Sequence, residues 1–160
     1  MWQQLTEVMK NLNMVYEQLI LLGKKKRSVL VAVNFAELEQ LLEKENQLVT
    51  LVEKYEQQRQ NILYELSLAH KEIKKNSKME DLYPLSPPAV ATLLRSEHQQ
   101  LEAKVKTVIE VRDANKFLVT SALSAVEYHL NRLGNTTVQP SYGAGGTEQI
   151  SRAKNFEFKA

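Results

Sequence analysis

At 160 residues with 43% hydrophobic and 25% charged positions, the chain is long enough for one soluble domain with a real core. A net charge of +2 is too small to mark nucleic acid or an anionic membrane as the main partner, and the lack of cysteine excludes disulfides, zinc–thiolate sites and thiol nucleophiles. Few glycines and prolines beside abundant Leu, Glu, Gln and Lys predict an all-α chain.

The predicted elements are three long helices, over about 2–33, 35–75 and 87–133, packed as an antiparallel, coiled-coil-like bundle within residues 1–134. The N-terminus lacks the pattern of a signal peptide, because Glu7 and Glu17 interrupt it. The runs Leu19–Leu22 and Val29–Val33 are too short to cross a bilayer, so a soluble, cytoplasmic protein is expected. In the first helix Trp2, Leu5, Val8, Met9, Leu12, Val15, Tyr16, Leu19 and Leu22 recur at spacings of three and four, which is one buried face. Gly23 and the Lys24–Arg27 run lie inside that register, and the run reads as a solvated stretch.

Asn34-Phe35-Ala36-Glu37 starts the second helix with a capping-box pattern, Asn34 accepting from a free amide and Glu37 reaching back. So short a connection folds the second helix back on the first. Leu38, Leu41, Leu48, Val52, Tyr55, Ile62, Leu66, Ala69 and Ile73 form a heptad seam that Glu45 and Arg59 interrupt.

Residues 76–86, with Tyr83-Pro84 inside and Pro87-Pro88 just after, form the internal linker. The third helix is expected to bury Val90, Leu94, Leu101, Val105, Val108, Val119, Ala122, Val126, Leu130 and Leu133, with Glu97, Arg112 and Asn115 breaking the stripe. From Phe117 to Val126 it carries no charge at all. Opposite the expected core stripe, Ala114, Phe117, Ser121, Ala125 and Tyr128 form a second one, with Leu118 beside it. A helix apolar or small on two sides needs a cover for its second face. The covers open to it are the chain itself, a second copy, or a partner helix lying in a shallow groove of small residues.

Residues 135–160 hold Pro140 and three of the five glycines, and read as a mobile tail with short linear binding elements. Tyr142 with Gly143 and Gly146 is the most anchor-like of these. His70, His98 and His129 are scattered, and His98–Glu102 is the nearest approach to a helical ligand pair. No metal, no cofactor, no nucleophile elbow and no phosphate loop is expected, so the chain reads as a non-enzyme.

These pieces together resemble the FlgN-type flagellar export chaperones over the whole chain. The resemblance rests on the long first helix, the Asn-capped NFAELEQLLEKENQL helix, and a third helix whose seam is broken by polar residues. The tail adds Tyr142, Gly143 and Gly146, followed by Ser151-Arg152 and Lys154. It departs from the family pattern at Arg112, where an Asn one turn from Asn115 is expected.

The resemblance implies a chaperone for hook–filament junction proteins like FlgK and FlgL. It would bind their C-terminal helices, prevent premature self-association, and deliver them to the flagellar type III secretion gate or its ATPase complex. Ala114, Phe117, Leu118, Ser121, Ala125 and Tyr128 would then contact the client, and Tyr142, Gly143 and Gly146 the gate. The alternative is a structural coiled coil whose uncharged face is its own oligomer seam.

Overall fold

The computed structural model describes residues 1–74, 77–134, 138–142 and 148–152, the last two segments as strand backbone. It contains α1 (Trp2–Val31), α2 (Phe35–Ala69), a short α3 (Met79–Leu82) followed by a 3₁₀ turn (Tyr83–Leu85), and α4 (Pro88–Gly134). Two strands follow, β1 (Val138–Tyr142) and β2 (Glu148–Arg152). The expected bundle of three long helices is therefore present, at 30, 35 and 47 residues. Two compact units divide the chain, Met1–Asn115 and Lys116–Ala160.

In the first unit α1 and α2 form a tight antiparallel hairpin. Val33 makes the turn in the left-handed region at φ 54°, where a β-branched residue is strained. Asn34 then caps α2, its side chain accepting from the Glu37 amide at 3.2 Å. The return half of the expected box takes another form. The Asn34 backbone N–H is already bonded to Val29 O, so the Glu37 carboxylate accepts from the Asn34 side-chain amide instead. Lys25 also pairs with Glu37 at 2.9 Å, which ties the turn together.

The second helix ends earlier than its periodicity suggests. His70 takes an extended backbone, so α2 stops at Ala69 instead of Lys75. Ile73 is still buried, but from the connector. That connector is no bare linker. Met79, Leu82 and Tyr83 are buried in it and join Leu5, Val8, Met9 and Leu12 of α1, Leu66 of α2, and Leu94 and Leu101 of α4 in one cluster. The cluster lies where the start of α1, the end of α2 and the start of α4 meet, and the α3 knuckle closes it. Tyr83–Leu85 accommodates Pro84 because a first-turn position needs no amide donor.

Cross-links between helices fix their directions. Lys26 pairs with Glu45, which sets α2 antiparallel to α1. Asn13 bonds Glu97, Lys104 bonds Glu17, and Asn115 bonds Gly23, so the numbers rise together and α1 runs parallel to α4.

In the second unit the last turns of α4 precede an antiparallel ladder, with Val138 opposite Arg152, Pro140 opposite Ile150 and Tyr142 opposite Glu148. No strand was expected there. Residues 135–137, 143–147 and 153–160 lie outside the described residues, and with them most of the predicted tail. No described helix is long and apolar enough to cross a membrane.

Candidate partner-binding surface

Polar residues that break a hydrophobic seam are costly unless each has a partner. In the first unit they have partners. Asn13 is buried on α1, and its amide donates to both the backbone oxygen and the carboxylate of Glu97, at 2.9 and 2.8 Å. Lys104 donates to Asn13 O and pairs with Glu17 at 2.9 Å. Glu45 receives Lys26 from the run that reads as solvated; the Lys26 ammonium is in fact mostly covered. Arg59 pairs with Glu56 on its own helix, and both face Tyr16. Burial first, and Glu56 second, push the Tyr16 hydroxyl above its ordinary pKa, with Arg59 opposing.

Asn115 is the last such lock. It is buried, and its amide donates to Gly23 O at 2.9 Å. This is the role of Gly23 in mid-helix: a Cβ there would come within 2.6 Å of a Val111 methyl, so only glycine lets α4 come this close without displacement. Arg112, expected in the same stripe, instead lies exposed beside Asp113, its partner at 2.9 Å. It interrupts nothing.

Past Asn115 the character of α4 changes. It has no buried residue after that position. Val119, Val126, Leu130 and Leu133, expected in the core, are all exposed, and so is Ala122. The client-contact candidates are exposed too: Phe117 at 74%, Ser121, Ala125 and Tyr128, with Leu118 half-buried. Ala114 is half-buried and belongs to the first unit. Thr120 bonds back to Lys116 O and Phe117 O, and Tyr128 meets His129 edge-on at 5.6 Å. Gly143 and Gly146 lie outside the described residues, as does the side chain of Tyr142.

The segment therefore offers two apolar stripes. One is the Phe117, Ser121, Ala125, Tyr128 line. The other, on the opposite side by helical geometry, is Val119, Leu123, Val126 and Leu130, spaced four, three and four. Its Leu123, Val126 and Leu130 are 58%, 56% and 55% exposed. Val119, Val126 and Leu130 of this aliphatic seam were expected in the core because its spacing is also that of a core stripe. The absence of any further polar lock after Asn115 was the available signal.

The chain matches the family described as FlgN protein over residues 1–150. No curated protein and no solved structure matches it.

Proposed function

Because the chain belongs to the FlgN family, and so to the flagellar chaperones in general, we propose that it is a cytoplasmic, non-enzymatic export chaperone for hook–filament junction proteins of the FlgK and FlgL kind. It binds their C-terminal helices, holds them apart from one another, and carries them to the flagellar type III export gate. The observation that carries this reading is the exposed heptad seam Val119, Leu123, Val126 and Leu130.

Such a seam accepts an amphipathic helix knob-into-hole. The opposite stripe with Phe117 and Tyr128 contacts a second segment of the same client, which wraps the helix. Covering four half-exposed aliphatic side chains and one aromatic contributes on the order of 5 kcal/mol before association costs. Net affinity then falls in the micromolar-to-nanomolar range, which suits a carrier that must release its cargo. Tyr142, the last residue of β1, together with Gly143 and Gly146 is the gate-docking element.

The test is calorimetric titration of the full chain with the C-terminal helical segment of a junction protein. The expected result is saturable one-to-one binding with a negative heat-capacity change. The double variant Val126→Glu/Leu130→Glu weakens it by about a hundredfold with helix content unchanged, and Phe117→Glu has a smaller effect in the same direction. The heptad spacing also fits a second copy of this chain. No client binding, together with a tight dimer that the double variant dissolves, would replace the chaperone reading with the oligomer seam.

A further inference from the structure

We propose that Glu80, His98 and Glu102 form a binding site for a divalent transition-metal ion of the zinc type, which fastens the α3 knuckle to α4. Each side chain offers one ligand atom, and these atoms lie within 4.8 Å of one another. His98 and Glu102 stand one turn apart on α4, with Nε2 at 3.8 Å from Oε1. Glu80 arrives from α3, far from them in sequence, which is why the pattern is invisible along the chain.

The imidazole is held as a metal-binding histidine is held. Its Nδ1 lies 2.8 Å from the hydroxyl of buried Tyr83, which leaves Nε2, on the Glu102 side, as the ligand atom. A partner on the second ring nitrogen fixes tautomer and ring orientation, and such partners are the usual companions of histidine ligands. Tyr83 is itself fixed by packing in the main hydrophobic cluster and by Ser86, whose hydroxyl donates to Tyr83 O at 3.0 Å.

The charge balance also favours a cation. Among the described residues neither Glu80 nor Glu102 is paired with a lysine or arginine. Arg95 stacks over the Tyr83 ring at 5.2 Å instead of meeting either carboxylate. One nitrogen and two carboxylate oxygens, with room for water, suit zinc-like ions; magnesium and calcium prefer all-oxygen shells. Both glutamates are exposed, so small side-chain rotations bring their oxygens to the roughly 2.0–2.2 Å that zinc requires.

The site belongs to the first unit and does not depend on the client-binding reading. The experiment uses the full chain without a histidine tag, stripped with EDTA, and reads calorimetry and thermal melting with zinc chloride. One equivalent binds, and at a hundredfold excess over Kd the melting temperature rises by about 5 °C; magnesium chloride gives no shift. Glu80→Gln and Glu102→Gln each weaken zinc binding tenfold or more while leaving the metal-free melting temperature within about 1 °C. No heat and no shift up to about a hundredfold excess over protein would overturn the proposal. So would zinc binding of equal affinity in both Gln variants, which would place the ion elsewhere, at His70 or His129.

Discussion

The two parts of α4 have nearly the same composition of aliphatic residues at the same spacing, and they meet opposite fates. Up to Asn115 the seam is buried or half-buried, and polar residues punctuate it: Glu97 against Asn13, Asn115 against Gly23. After Asn115 the seam continues through Val119, Leu123, Val126 and Leu130 in the open, with no polar residue in it. Hydrophobic periodicity says that a face will be covered; it does not say by what. A polar lock does, because a buried amide or carboxylate is tolerable only opposite one particular partner in one register. The locked part of α4 is written for its own chain. The unlocked part carries no such specification, which suits the carrier role proposed above.

Matched substitutions break the comparison most directly. Leu94 is fully buried, and Leu94→Ala is expected to cost about 3 kcal/mol. Leu130→Ala changes stability by no more than about 0.5 kcal/mol and weakens client binding instead. Urea denaturation of both variants checks this, and equal losses would mean that the seam is covered within the chain. A smaller effect is expected at the lock itself. Asn115→Ala removes the bond to Gly23 O and leaves a gap, costing about 1–2 kcal/mol. Asn115→Leu stays within about 1 kcal/mol of the parent, since Asn115 Oδ1 is buried without a partner among the described residues and its loss is a gain. A gain is expected at the hairpin turn, where Val33→Asn relieves the left-handed strain and raises stability by about 1 kcal/mol in the same assay.

Much of the first unit was legible. The seam of α2 emerges as read from Leu38 to Leu66, and even its polar interruptions, Glu45 and Arg59, are half-buried on the predicted face. The Asn34 cap could be read because it is a local signal. What was hidden depends on residues distant in sequence. The partners of Asn13 and Gly23 are on α4, so neither role shows along the chain. Met79, Leu82 and Tyr83 looked like linker, since Pro84 and Pro87 advertise a break and nothing local shows that the break is packed. For the candidate surface the sequence singled out the uncharged stretch of helix but treated the more aliphatic of its faces as core, and that face is exposed.

The parallel pairing of α1 with α4 carries a consequence for how the chain acquires its structure. The α1–α2 hairpin closes over a three-residue turn, 32–34, and can form early from local contacts. The locks between α1 and α4 join residues 84 to 92 positions apart, so they wait on a large loop closure. During synthesis the hairpin therefore leaves the ribosome with the face meant for α4 open. Asn13, Gly23 and the aliphatic residues around them stay wet until Asn115 has been made. A nascent chain of this protein is for that interval a two-helix groove in need of a third helix, the same kind of vulnerability that it is proposed to guard against in its clients.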